Sequence, residues 1–321
     1  MELGQALSQL EAAAEPSRLR LLALLLPGEA TVGDLVTVLG QSQPRVSRHL
    51  RLLAEAGLVE SFREGRSIYY RLEDAVLDDG IGDYLGALLR GPDPVVSQDQ
   101  ARMAQSRRER ERDALRRGTR SIRASAAGTV TAQHALAELL DVVLGKQPLG
   151  AVLDVGVGAG NLLQLLAPRA SRVVGVDSAG HMRQLARSRL YGSGRARWTI
   201  RDADARALPF AAGEFDLVIL DEVLGPGTQP EVILAEVRRV LATHGRLLIL
   251  DRILPVVRRL PVTPAQGELS ERQLAALLRA AGFSVSSRQW LPGRAPDRAL
   301  FLAVMNEVAD GPQGTRTGTD D

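Results

Sequence analysis

Between Leu3 and Ala56 apolar side chains recur every three or four residues, the repeat that lays them along one face of a helix. Pro16, the pair Pro27 and Gly28, and Gly40 break the run, so the pattern predicts four short helices. From Leu58 to Leu72 the residues alternate instead, with Phe62, Ile68, Tyr69 and Tyr70 flanking Glu64 and Gly65; this predicts a β-hairpin that turns at Glu64–Gly65. Helical spacing returns from Ala75 to Leu89 and stops at Gly91, Pro92, Asp93 and Pro94. Asp99 to Arg123 is helical in spacing but heavily charged, with Arg107, Arg108, Glu109, Arg110, Glu111, Arg112 and Asp113 in succession. It reads as a solvated connector helix, its net basic charge leaving phosphate contact as the alternative.

Beyond Leu149 the pattern becomes strands alternating with helices, the signature of a parallel α/β sheet. The candidate strands are Ala151–Val155, Arg172–Val176, Arg197–Ile200, Phe215–Leu220, Arg246–Leu250, Ser284–Trp290 and Ala299–Val304. Seven strands suit a doubly wound, Rossmann-like sheet. The last residues, Ala309 to Asp321, lack apolar anchors and are expected to be disordered. The expected divisions are an α+β winged helix-turn-helix over 1–90, a linker and charged connector over 91–148, the α/β domain over 149–306 and a tail over 307–321.

At 321 residues the chain is long enough for two cores. Charged residues make up 24%, and no apolar stretch approaches the roughly 20 residues that span a bilayer. With no basic and then apolar leader at its start, it is expected to be cytoplasmic and to have no membrane partner. The absence of cysteine removes disulfides, thiolate metal sites and cysteine nucleophiles. A formal charge of +2 identifies no polyanionic partner, so the placement of cations matters more than their sum.

That placement singles out one helix. Val32–Leu39, Gly40 and Ser42–Glu55 read as helix, turn and helix, with Ser42 as N-cap and Pro44 in the first turn. Val46, Leu50, Leu53 and Ala54 mark the buried face of the second helix, which leaves Gln43, Arg45, Ser47, Arg48, His49 and Arg51 for the other faces. Arginine can bond guanine bidentately and glutamine can read adenine, while serine and arginine can hold phosphates. Gln43, Arg45, Ser47, Arg48 and His49 are therefore candidates to contact double-stranded DNA. In the hairpin Arg63, Arg66 and Arg71 flank the turn, and a cationic tip carrying Arg66 could follow the adjacent backbone or minor groove.

The stretch from about Leu7 to Leu72, through EPSRLRLLALL, GQSQPRVSRHLRLLAEAGLV and REGRSIYYRL, resembles the ArsR family of winged-helix repressors. The resemblance implies an operator-binding homodimer joined through terminal helices, here near Glu2 to Ala14 and Ala75 to Leu89. Metal-sensing members carry cysteines where this chain has TVGDLVTVLG. Asp34 is accordingly expected at a surface or first-turn position and not as a metal ligand, and His49 as DNA-facing or solvated, so no metal is expected.

The second domain opens with AVLDVGVGAG, an apolar strand running into a glycine-rich turn and then a helix. Such a turn lets backbone approach a ligand closely. Asp154 precedes Gly156, Gly158 and Gly160, and a second strand, RVVGVD, ends in Asp177, placed to accept ribose hydroxyls. A dinucleotide site would have its third glycine where Asn161 stands, so the spacing favours S-adenosylmethionine. The region resembles class I methyltransferases, continuing through DARALPF, EFDLVIL and HGRLLILD. The resemblance implies that Gly156, Gly158 and Gly160 hold the methionyl part, Asp177 the ribose and Asp204 the adenine amino group, with Asp202 as the rival of Asp204.

Catalytic residues stay unassigned. Asp221 and Glu222 read as a loop rim or as an acid/base pair. Similar fused proteins carry aromatic residues in the lid segment before the first strand and a histidine-rich element after the fifth, where this chain reads SIRASAAGTVTAQHAL and LPVVRRLPVTPAQGEL. Three readings follow: a regulator with S-adenosylmethionine or S-adenosylhomocysteine as effector, a small-molecule methyltransferase with an autoregulatory winged helix, and a DNA-binding dimer whose second domain only supports assembly.

Overall fold

Helix α1 (Leu3–Ala13) leads into α2 (Pro16–Leu25), whose start is set by Glu15 accepting the Arg18 amide at 2.8 Å ahead of Pro16. Thr31 and Asp34 form a capping box at the head of α3 (Val32–Leu39), and Gly40 ends that helix at φ 65°, a left-handed geometry that glycine adopts without Cβ strain. Helix α4 (Gln43–Glu55) follows Ser42. Leu21, Leu25, Leu35, Val46, Leu50 and Leu53 are all buried between these helices. The computed structural model describes residues 2–78, 83–84, 86–87, 93–117, 130–191, 198–225, 227–254, 269–291 and 298–306.

Strands β1 (Ala30–Thr31), β2 (Val59–Glu64) and β3 (Ser67–Leu72) form a sheet in the order β1-β3-β2. Phe62 stands opposite Tyr69 and stacks on it, ring centroids 5.4 Å apart. The turn falls one residue later than the sequence predicts: Glu64 closes β2, and Gly65 and Arg66 make the reversal, with Gly65 at φ 56°. Helix α5 (Asp74–Asp78) begins where the Ala75–Leu89 helix is expected; residues 79–82, 85 and 88–89 of that stretch lie outside the described residues.

Helix α6 (Pro94–Arg117) corrects the expectation of a solvated connector. Asp99, Met103, Arg107 and Ala114 are buried, because its charges find partners on two sides. Asp99 pairs with Arg20 at 2.6 Å and Arg110 with Asp34 at 2.8 Å on one side; Glu111 meets Arg189 at 3.0 Å on the other. The helix is the bracket between the two domains. Asp34, expected at a surface or first-turn position, is in the first turn but buried by this contact.

After α7 (Val130–Leu144), strands β4 (Gly150–Val155), β5 (Ala170–Asp177), β6 (Trp198–Asp202), β7 (Phe215–Asp221) and β8 (Leu241–Leu254) pair in parallel. Strand β9 (Leu269–Ser270) pairs with the end of β8; β10 (Phe283–Trp290) and β11 (Arg298–Met305) complete the order β10-β11-β8-β7-β4-β5-β6. Strand β11 is antiparallel to both neighbours, which alternation of strands and helices alone does not foretell. Helices α8 (Asn161–Leu166) and α9 (Gly180–Leu190) cover one face with α7; α10 (Pro230–Val240) and α11 (Glu271–Ala280) cover the other. Successive strand residues divide accordingly, Val152 joining the first cluster and Leu153 and Val155 the second. The predicted strand start at Arg197, the tail 307–321 and most of both expected lid segments lie outside the described residues. No helix among the described residues is long and apolar enough to cross a membrane.

Candidate functional site

The glycine turn follows from the end of β4. Gly156, Gly158 and Gly160 take φ values of 78°, 52° and 77°. A Cβ on Gly156 would lie 2.5 Å from Val223, so at this point the turn needs both the torsion and the missing side chain. Gly160 serves packing, since its Cα faces Ala186 of α9. At the end of β5 the Asp177 carboxylate accepts the Gly158 amide at 3.0 Å and the Ala179 amide at 2.8 Å, tying the glycine turn to the head of α9.

Beside these groups opens a cavity of about 460 Å³ walled by Gly156, Asp177, Ser178, Asp204, Glu222 and Val223. Its volume lies within the range of small-molecule sites. Asp204 lines it, whereas Asp202 is engaged by Arg183 at 3.1 Å. Arg206 grips the exposed Asp204 at 2.6 Å and lowers its carboxyl to about 2. Asp154 lies behind the wall, buried, with Oδ1 unpartnered among the described residues. Burial, and then the charges of Asp221 and Asp177, push its carboxyl well up.

Asp221 ends β7 and pairs with Arg298 of β11 at 3.0 Å. Burial, opposed by Arg298 and reinforced by Glu222 and Asp251, raises its carboxyl to about 7. Glu222 has φ 53° and also meets Arg298 at 3.0 Å. Spacing could not have shown Arg298, which arrives from a strand 77 residues away.

On α4, Gln43, Arg45, Arg48 and Arg51 are exposed and Ser47 is half-buried, while Val46, Leu50 and Leu53 face the core. His49 is placed differently: it is largely covered, with Nδ1 3.7 Å from the Glu15 carboxylate. Arg63 and Arg66 are exposed at the hairpin tip. Arg71 is not at the tip surface; it is buried and bound to Glu60 and, at 2.8 Å, to Asp74, which removes it from the cationic set.

A second constellation escaped the sequence reading. Glu29 is fully buried at the domain boundary, accepting the Ile200 amide at 2.9 Å and Arg187 Nε at 2.8 Å. Glu64, at the end of β2, accepts from Arg183 at 2.9 Å and from Arg187 at 2.6 Å. Arg187 also lies 4.0 Å over the Tyr69 ring, Arg201 lies 3.2 Å over Phe62, and Gly28 packs on Trp198. One sign was available: Arg183 and Arg187 stand one helical turn apart, a spacing that presents two cations to one partner.

Residues 153–249 match the model of a family described as a methyltransferase domain, and residues 15–61 match that of a family described as bacterial regulatory protein, arsR family. The transcriptional repressor SdpR of Bacillus subtilis is 36% identical over 81 residues, 25% of this chain and 90% of that one. The demethylmenaquinone methyltransferase of Thermus thermophilus is 38% identical over 114 residues, 35% of this chain and 51% of the other, so the chain spans about half the length of that relative. A solved SAM-dependent methyltransferase of Aquifex aeolicus aligns with a TM-score of 0.45 at 21% identity, covering 52% of this chain and 88% of that one.

Proposed function

Because the chain belongs to the arsR family of bacterial regulatory proteins and carries a methyltransferase domain behind its winged helix, we propose an operator-binding regulator with S-adenosylmethionine or S-adenosylhomocysteine as effector. The observation that carries this reading is the position of α9. This helix begins three residues after Asp177, at the rim of the cavity, and its Arg183 and Arg187 bond Glu64 and Glu29 of the winged helix. Ligand site and DNA-binding domain thus share one rigid element.

In this proposal Gln43, Arg45, Ser47 and Arg48 meet the major groove, with Arg66 on the backbone beside it. His49, covered beside the Glu15 turn, is withdrawn from base reading. In the cavity Asp177 takes the ribose hydroxyls, Asp204 the adenine amino group, and the glycine turn the methionyl part. Asp154, with its unpartnered oxygen, lies where a cationic group of the ligand would relieve crowding among acids. Leu3, Leu7 and Leu10 are 78%, 51% and 45% exposed along one stripe of α1, a face that fits a second copy of the chain. The test is calorimetric titration with each adenosyl compound, with and without selected operator DNA. Reciprocal changes in affinity, typically about 5- to 150-fold, support the effector role, and a ligand that binds equally in both conditions removes it.

A methyltransferase reading draws on Asp221. A half-buried carboxyl held near 7, next in the chain to Glu222 of the cavity wall, suits removal of a proton from an acceptor. Methylated product formed at turnover from a small-molecule acceptor, with DNA affinity indifferent to ligand, would select it.

A further inference from the structure

Arg183 is the one side chain among those described here that touches both the cavity rim and the hairpin. Its Nη1 donates to the backbone oxygen of Asp177 at 2.7 Å and lies 3.1 Å from Asp202; its Nε donates to Glu64 at 2.9 Å. One turn on, Arg187 holds Glu64 with both terminal nitrogens, at 3.1 and 2.6 Å, and is anchored in turn on the Ile200 oxygen at 2.6 Å and on Glu29. All four side chains are buried or nearly so. The hairpin therefore grips the second domain by one face, through Phe62, Glu64 and Tyr69, and leaves Arg63 and Arg66 exposed on the other.

We infer that the hairpin is the coupling element between the two sites: Arg183 links occupancy of the Asp177 cavity to Glu64, and Glu64 sets where Arg63 and Arg66 stand. This rests on the reading that Asp177 binds an adenosyl ligand. The carboxylate and the carbonyl oxygen of Asp177 belong to one residue at the end of a strand. A ligand drawing on the carboxylate shifts the peptide that Arg183 holds. The Arg183 side chain is only 7% exposed, which leaves little solvent to absorb that shift, and close-packed interiors transmit it. The hairpin is docked through Glu64, and release from that dock is the second arrangement the coupling requires, so that both sites can bias it. Simple domain glue would use the same ion pairs but would be indifferent to ligand.

The experiment is hydrogen exchange on the full chain, followed over Val59–Leu72, with saturating S-adenosylmethionine, S-adenosylhomocysteine or neither. In the wild type at least one compound changes hairpin exchange by about 5- to 150-fold, the range of ordinary coupling. Glu64→Gln still binds that compound by calorimetry but loses the hairpin response, and Arg183→Lys, which keeps the charge and loses the fork, loses it too. A wild-type hairpin that ignores a bound ligand overturns the inference, as does a full response in Glu64→Gln. If neither compound binds the wild type, the effector reading falls together with the coupling. A responsive hairpin with unchanged DNA affinity removes the effector reading alone.

Discussion

Arg187 and Glu64 form a forked pair across the domain boundary, with donor–acceptor distances of 3.1 and 2.6 Å. Because Arg187 also pairs with the fully buried Glu29, its removal leaves Glu64 with Arg183 alone and Glu29 with Arg201 at 3.6 Å as its remaining cation. Breaking a buried pair from one side costs about 3–5 kcal/mol, so Arg187→Ala should lose that much in urea unfolding. Glu64→Gln, which keeps an acceptor for one guanidinium, should lose about 1 kcal/mol. A loss below that for Arg187→Ala would mean that the domains are held by their apolar contacts alone.

Acid should release the hairpin. Burial raises the Glu64 carboxyl, but Arg187 and Arg183 outweigh it and leave the group below its ordinary value of 4.5. A folded-state value below the unfolded one gives stability that is complete above about 4.5 and is lost as pH falls through the folded value. Trp198, packed under Gly28, reports the boundary once Trp290 is replaced by Phe. Its emission should shift only below pH 4.5, and the shift should flatten in Glu64→Gln. A transition centred above that pH would assign the contact to other groups.

Asp154 predicts the opposite sign. Its carboxyl is raised, so the fold gives up stability as pH rises and the group ionises among Asp221 and Asp177. Asp154→Asn should therefore raise the melting temperature, by roughly 2–4 °C for a gain of about 1 kcal/mol, while weakening a cationic ligand. Binding of S-adenosylmethionine to the wild type should release protons, seen as a heat that varies with buffer ionisation enthalpy. A buffer-independent heat would place the positive group elsewhere.

Arg45 and Arg48 are exposed on α4 and make no bond to the second domain among the described residues. Arg45→Ala with Arg48→Ala should abolish sequence-specific binding in a gel shift, since each bidentate base contact is worth about 1–3 kcal/mol, and should leave the melting curve within about 1 kcal/mol of wild type. Retained specificity would transfer the reading role away from this helix.

Much of this was legible from periodicity and turn residues. Gly40, Ser42 and the spacing of Val46, Leu50 and Leu53 locate α4, and the glycine pattern with Asp177 locates the cavity. These features are local, set by torsions and by which face is apolar. What stayed hidden depends on partners far along the chain. The charges of α6 look solvated until Arg20, Asp34 and Arg189 are beside them, and Arg71 looks like a wing-tip cation until Glu60 and Asp74 enclose it. Strand β11 carries no mark of its antiparallel insertion, and so none of the Arg298 contact with Asp221.

Asp177→Ala tests the proposed function at its base. The carboxylate closes two backbone bonds, to Gly158 and Ala179, so the substitution loosens the glycine turn as well as removing the acceptors intended for ribose. Hydrogen bonds to a charged group contribute about 1.5–3 kcal/mol each, and the adenosyl affinity should fall at least about tenfold. DNA binding without ligand should persist, because the α4 face is built on a separate core. The ligand's influence on DNA should disappear at concentrations that saturate the wild type, and should return at higher ligand if the turn still forms, since linkage depends on occupancy. Full ligand-dependent regulation in Asp177→Ala at wild-type concentrations would show that the effector binds somewhere other than this cavity.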